Sequence, residues 1–230
     1  MMRDKREAIL HYSHLVYEKG WVANHEGNLS VRVGADRFLC TPTSFSKADV
    51  SERDLIVVDV EGNRVRGFRN RFSEFSLHAA IYRQRPDVAA VVHAHPPNAT
   101  AFSVVGRGLP RPIVAEAVVS LGPVVPLVPF AVPGSAEATA NLAEFLDVFD
   151  VLILENHGVF AYGADLEQAF LRLEYCEHLA DIERRALQIG TPRHLAWAEI
   201  QPLLDARRRA GLGPESRGIS RADAYERWFR

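Results

Sequence analysis

"VAAVVHAHPP", residues 88–97, decides how the chain is read. An apolar run of strand length ends in two histidines one residue apart, and two prolines follow at once. Along a strand, residues i and i+2 point to the same face, so His93 and His95 would present both imidazoles to one point. Pro96 and Pro97 bias the preceding backbone away from helix and end the ladder. A histidine pair at a strand's mouth suits a metal.

A second apolar run, "VLILEN" (151–156), has the same length and lack of alternation. Such runs read as central strands covered on both faces. Upstream, "NLSVRV" and "RFLCTP" alternate around "GAD", and "LIVVDVEGNRV" turns at Glu-Gly-Asn, so two hairpins are predicted. Helical spacing appears in four places. Ile9, Leu10, Tyr12, Leu15 and Val16 share a face that Gly20 closes. "EFSLHAAIYRQRP" places Phe75, Leu77, Ala80 and Ile81 on one side and stops at Pro86. "AEATANLAEFLDVF" and "LEQAFLRLEYCEHLADIERRALQIG" follow, the second closed by Gly190. Hairpin-short connections predict a largely antiparallel or mixed sheet covered by helices. The expectation is one α/β domain over residues 1–230, with a core from about 5 to 190 and a loosely tied tail over 191–230.

Composition narrows the function. The chain has 230 residues, of which 47% are hydrophobic and 24% charged, ordinary globular usage. Its net charge of -2 argues against a nucleic-acid surface, which needs a concentrated excess of Lys and Arg. Two cysteines, Cys40 and Cys176, show no pairing pattern, which points to a reducing compartment. The charged start, "MMRDKREAIL", lacks the apolar stretch of a signal peptide, and no run approaches the roughly 20 apolar residues that span a bilayer. A cytoplasmic protein with no nucleic-acid or membrane partner is expected.

A third histidine stands in "ILENHGVFAYG". His157 follows a buried strand and precedes Gly158, a residue that permits a tight turn. Three neutral imidazoles with an open position describe a catalytic zinc site. The other six histidines, His11, His14, His25, His78, His178 and His194, read as helix-face or loop residues. Glu74 has two readings. Ser73 can cap a helix whose first turn then holds the Glu74 carboxylate at the positive end of the dipole; alternatively, Glu74 faces the metal as ligand or proton shuttle.

These stretches together resemble the class II aldolase/adducin family. The resemblance runs through "GWVANHEGNLSVR", "TPTS", "FSEFSLHAAIYRQRPDVAAVVHAHPPNATAFS" and "LENHGVFAYG", nearly all of residues 5–185. It implies a three-layer α/β/α fold with a mostly antiparallel sheet, and a homo-oligomer, commonly a tetramer, with sites between subunits. It implies one zinc ion per chain on His93, His95 and His157, with Glu74 as catalytic acid/base and metal ligand when substrate is absent. The implied reaction is retro-aldol cleavage of a small sugar phosphate or related hydroxy-ketone, in which zinc stabilises an enediolate as a Lewis acid. A carboxylate beside the metal can move the proton. The family's epimerases carry aspartate where this chain has Glu74. Pentulose-phosphate 4-epimerisation and sugar-acid-phosphate decarboxylation or dehydration are rival reactions on the same logic. A non-catalytic, adducin-like interaction module would be expected to have lost the histidines.

The phosphate-binding pattern is only partly kept. Asn28 of Gly27-Asn28-Leu29-Ser30 matches the family's asparagine. Thr43 fits a Thr-Gly pair in which Ser44 replaces glycine. Ser73 fits a serine pair in which Phe72 replaces the other hydroxyl. Lys47, Arg69 and Arg71 would add charge if they point inward, but read more simply as surface residues. Where the fuculose enzyme of the family places a proton-donating tyrosine from a neighbouring subunit, "PIVAEAVVSLG" has none. Glu116 stands closest, either as part of a buried strand or as the replacement proton donor. Tyr225 is the available match to the family's tail tyrosine.

Overall fold

The computed structural model describes residues 2–109, 111–220, 224 and 225. Among these, eight strands form one sheet: β1 (Asn28–Gly34), β2 (Arg37–Cys40), β3 (Ile56–Val58), β4 (Arg64–Arg66), β5 (Ala90–Ala94), β6 (Leu127–Val128), β7 (Val151–Leu154) and β8 (Val159–Gly163). Their order is β4-β3-β2-β1-β5-β8-β7-β6. Every pairing is antiparallel except β6 with β7. The two apolar runs lie where two-sided burial was expected, with every residue of β5 and β7 buried.

Alternation divides these strands between two cores. Ala90, Val92 and Ala94 of β5 face one cluster with Val159 and Ala161 of β8. That face is covered by α1 (Met2–Glu18), α3 (Pro97–Val104) and α6 (Leu166–Ile189), through Ile9, Val16, Ala99, Phe102, Phe170 and Leu173. Val91 of β5, with Phe160 and Tyr162 of β8, faces the other cluster. There α2 (Phe75–Gln84), α5 (Ala136–Ala143) and α7 (Trp197–Arg209) contribute Leu77, Ile81, Leu142, Ile200 and Leu204. The result is the three-layer α/β/α arrangement with a mostly antiparallel sheet. The sheet's edges are protected. All three residues of β4 (Arg-Val-Arg) are exposed, and the two-residue β6 lies between Pro126 and Pro129.

Two expectations need correction. "PIVAEAVVSLG" holds no strand; it forms α4 (Ala115–Ser120) with Glu116 exposed. The tail is not loosely tied over its described part. Ile200 and Leu204 are buried, and Arg207 donates to the carbonyls of Val119 and Ser120 at 2.7 Å each. Arg207 also reaches Asp150, whose carboxylate meets Arg85 at 2.8 Å, Arg172 at 3.1 Å, Arg207 at 3.2 Å and Arg217 at 3.7 Å. The rest of the tail expectation, at 221–223 and 226–230, lies outside the described residues.

Candidate metal centre

β5 delivers His93 at its end, and the chain continues extended so that His95 falls on the same face. The backbone N–H of His95 donates to Trp21 O at 2.8 Å, which ties it to the loop before β1. His157 comes from the tight β7–β8 connection. The turn itself is made by Asn156 at φ 52, while Gly158 is not left-handed. Gly158 is needed for another reason: a Cβ there would lie 2.4 Å from His95 Cδ2 and 2.6 Å from Ala94 O. The missing side chain lets the two histidine segments approach.

The ligand atoms of His93, His95 and His157 all lie within 4.8 Å of one another. For His93 and His95, outer contacts decide which nitrogens face inward. His93 Nδ1 sits 3.0 Å from Val159 O, so it carries the proton and leaves Nε2 as a lone pair. His95 Nδ1 sits 3.3 Å from a Glu26 carboxylate oxygen, with the same consequence. The two Nε2 atoms are 3.2 Å apart with no proton between them. Glu74 closes the cluster, 3.2 Å from His157 Nε2 and 3.5 Å from His93 Nε2. Its Oε1 is buried without a hydrogen-bond partner. Lone pairs and an unpartnered carboxylate oxygen converging in this way fit a divalent cation.

Burial pushes all three imidazoles toward the neutral form that binds metal. It holds His93 well below the ordinary value, aided by His157 and His95, and lowers His95 against the opposing pull of Glu26. His157 is pushed down to about 4 by burial and His95. Burial raises the Glu74 carboxyl, and the hydrogen bond from Asn28 Nδ2 (2.9 Å) offsets part of that.

Glu74 is itself the N-cap of α2, with no side-chain cap bond, and Ser73 does not cap the helix. The carboxylate is turned to Asn28 and the histidines instead of to its own helix. Asn28 therefore joins the cluster, and Ser73 is exposed before α2. Ser44 is exposed at φ 53, a left-handed position that glycine occupies more easily, which accounts for the glycine of the family pattern. Thr43 is partly buried, its N–H on Asn70 O at 3.0 Å. Phe72 is buried in the core, its ring 5.0 Å from that of His78, so it gives up the hydroxyl without lining the site. Glu116 stands beside Tyr175 of α6 and is not among the residues converging on the histidines. Tyr225 is buried against Phe149 and Arg207, at the Asp150 end of β7.

Lys47 is a correction: it is buried, its amine on Phe45 O at 3.0 Å and His25 O at 3.5 Å, and burial pushes it down to about 8. Arg69 pairs with Asp54 at 2.9 Å, and Arg71 donates to Phe72 O. Two residues were missed. Glu26 holds His95, and His78, taken for an ordinary helix-face residue, is wholly buried behind Asn28. A larger cleft of about 470 Å³, lined by Ser120, Gln168, Arg172 and Tyr175, brings no comparable set of ligand atoms together. No helix among the described residues is long and apolar enough to cross a membrane.

The sequence pattern of the family described as "Class II Aldolase and Adducin N-terminal domain" matches residues 7–183. A Rhodospirillum rubrum relative named 5-methylthioribulose-1-phosphate/5-deoxyribulose-1-phosphate aldolase is 35% identical over 179 residues, covering 78% of this chain and 80% of that protein. A Haemophilus influenzae relative named 3-oxo-tetronate 4-phosphate decarboxylase is 31% identical over 203 residues, 86% of this chain and 95% of that protein. A solved structure of an L-fuculose 1-phosphate aldolase superposes with a TM-score of 0.82 at 27% identity, covering 90% of this chain and 96% of that one. This chain belongs to the class II aldolase and adducin family.

Proposed function

We propose that this member of the class II aldolase and adducin family is a zinc-dependent aldolase that cleaves a small ketose phosphate or related hydroxy-ketone by a retro-aldol reaction. The observation that carries the reading is the meeting of three imidazoles with a carboxylate whose Oε1 is buried without a hydrogen-bond partner. His93, His95 and His157 would hold one zinc ion per chain. When bound, the ion supplies Lewis acidity for the negative charge that develops on the ketone half.

The chain's own groups account for the proton. As the carbon–carbon bond breaks, the hydroxyl on the aldehyde side would give its proton to a carboxylate, Glu116 in this reading, and the electron pair of the broken bond passes to the carbon next to the carbonyl. Glu74, within reach of the cluster and with its pKa raised by burial, carries a proton to that carbon. Asn28 orients Glu74 through its 2.9 Å bond. Asn28, Thr43, Ser44 and Ser73 would take the phosphate or a similar anion. Glu116 would serve the departing aldehyde from across a subunit boundary, because in its own chain it lies on α4 beside Tyr175. A cytoplasmic homotetramer is the assembly that completes this reading.

Decarboxylation of a sugar-acid phosphate is the second reading, supported by the Haemophilus influenzae relative, since the same cluster would stabilise the charge left when carbon dioxide departs. Glu74, where the family's epimerases have aspartate, counts against epimerisation. The intact histidines count against a purely structural, adducin-like role. Zinc-loaded protein incubated with a panel of ketose 1-phosphates and 3-oxo sugar-acid phosphates tests the proposal. Release of an aldehyde with dihydroxyacetone phosphate is expected, and Phe72 and Glu116 lead us to expect poor turnover of fuculose 1-phosphate. Carbon dioxide release would favour the second reading, and no turnover of any of them would overturn both.

A further inference from the structure

Behind the cluster, a chain of hydrogen bonds runs inward from Glu74. Asn28 Nδ2 donates to Glu74 Oε2 at 2.9 Å, Asn28 Oδ1 lies 2.6 Å from His78 Nε2, His78 Nδ1 lies 2.7 Å from Ser30 Oγ, and Ser30 Oγ lies 2.8 Å from Tyr82 Oη. Asn28, Ser30, His78 and Tyr82 are all buried. The geometry has a simple origin. Asn28 and Ser30 are i and i+2 on one face of β1, and Glu74, His78 and Tyr82 are i, i+4 and i+8 along α2. Two strand residues rise about 6.6 Å and four helix residues about 6 Å. The two rows therefore run in step, one strand side chain bridging each successive pair of helix-side residues.

Direction along the chain follows from donor and acceptor capacity. Asn28 presents its NH₂ to a Glu74 carboxyl oxygen, which accepts, and its Oδ1 to His78. His78 Nε2 then carries the proton, Nδ1 accepts from the Ser30 hydroxyl, and the Ser30 oxygen accepts from Tyr82. Turned by 180°, the Asn28 amide would set its oxygen against the Glu74 carboxylate and its NH₂ against the His78 N–H.

We infer that His78 is a positioning residue: through one fixed tautomer it holds the Asn28 amide with its NH₂ toward Glu74, and so aims the carboxylate that the proposed reaction uses. The hydrogen bonds of the His78 ring go to Asn28 and Ser30, and it acts on Glu74 through Asn28. Its effect on turnover rests on the function proposed above, but its tautomer and its hold on Asn28 do not.

The test uses zinc-loaded full-length protein with ¹⁵N-labelled histidine and side-chain amides. Long-range proton–nitrogen spectra are expected to show His78 protonated at Nε2 and bare at Nδ1; a proton on Nδ1, or on both nitrogens, overturns the inference. In His78→Leu the Asn28 amide signals are expected to shift or broaden and kcat to fall about tenfold or more, as for loss of one buried hydrogen bond. His78→Gln places an amide N–H close to where imidazole Nε2 was. It is expected to restore the Asn28 signals and most of kcat, with one zinc retained in both variants. Equal loss in the Leu and Gln variants would mean that His78 only fills space, and the inference would fail. If His78→Leu does not fold, Ser30→Ala, which removes the hydroxyl on Nδ1, is expected to disturb the tautomer in the same spectra; an unchanged tautomer would count against the chain of bonds. The spectra need no substrate, so an absence of turnover would overturn the proposed function and leave the positioning role readable.

Discussion

At one end of β7, Asp150 meets four guanidinium groups; past the other end, His157 meets two imidazoles and a carboxylate. Both clusters are largely buried and polar, and only the first is closed around a charged group of the chain at its centre. At the Asp150 end, Arg85 also bonds Leu146 O at 2.9 Å, Arg172 bonds Tyr162 O at 2.6 Å and Arg217 bonds Asp147 O at 2.8 Å. The Asp150 carboxylate has its partners within the chain, which makes the cluster structural, although Nε of Arg207 and of Arg217 are buried without a hydrogen-bond partner. At the His157 end, lone pairs face lone pairs and Glu74 Oε1 has no hydrogen-bond partner. Such converging donor atoms suit a cation. The test of a site is thus what its groups still need, more than how polar they are.

The largest expected effect would break the comparison at the open end. Replacing His93, His95 and His157 together by alanine should abolish zinc retention through dialysis while the chain stays folded. A full equivalent of metal in that variant, read by elemental analysis, would remove the basis for calling this end a site. At the closed end, Asp150→Asn should destabilise the fold by about 3–5 kcal/mol, because it strips the counter-charge from buried guanidiniums. Urea unfolding measures this, and the folded fraction should still bind one zinc. A loss under about 1 kcal/mol would mean that the arginines do not depend on Asp150.

Acid sharpens the same contrast. Burial alone would raise the Asp150 carboxyl, but Arg172, Arg85 and Arg207 hold it at about 2, below the ordinary 3.8. A depressed carboxyl contributes stability that is complete above its unfolded value and is lost as pH falls through the folded one. Between pH 4 and 2 the protein should therefore lose about 2 kcal/mol through this group. The loss should be absent from Asp150→Asn when unfolding midpoints are compared over that range. The smallest effect concerns the support of the open end. Glu26→Gln, which weakens the hold on His95 Nδ1, should lower zinc affinity about tenfold in competition with a chelator. Unchanged affinity would show that Trp21 O and packing suffice to orient His95.

The fold and the clustering of the three histidines were legible because their signals are local. Two unalternating apolar runs marked the central strands, and His-x-His at one strand end with Asn-His-Gly after another marked the cluster. What was hidden depends on which segments meet. Glu-x₃-His-x₃-Tyr at 74–82 and Asn-x-Ser at 28–30 are 46 residues apart at their nearest bond, and neither row means much without the other. His78 alone looks like any helix residue. The arginines around Asp150 come from four separate segments, and they draw in a tail that by composition looked unattached. Glu74 carried both its readings into the structure, and the N-cap geometry favours the cluster. Phe72 and Lys47 misled in opposite directions, an aromatic placed at the site that belongs to the core and a lysine placed on the surface that is buried.

The flanks of the sheet limit how copies of this chain can associate. Charged side chains on a short edge strand discourage pairing, and prolines on either side of a two-residue edge withhold the N–H groups that a new strand would need. With β4 guarded in the first way and β6 in the second, extension of the sheet from one molecule into the next is disfavoured on both sides. Any association between copies would therefore run through helices and connecting loops. Those loops include the 21–27 and 155–158 segments that carry Glu26 and His157, so a neighbour joined through them would reach the cluster's rim.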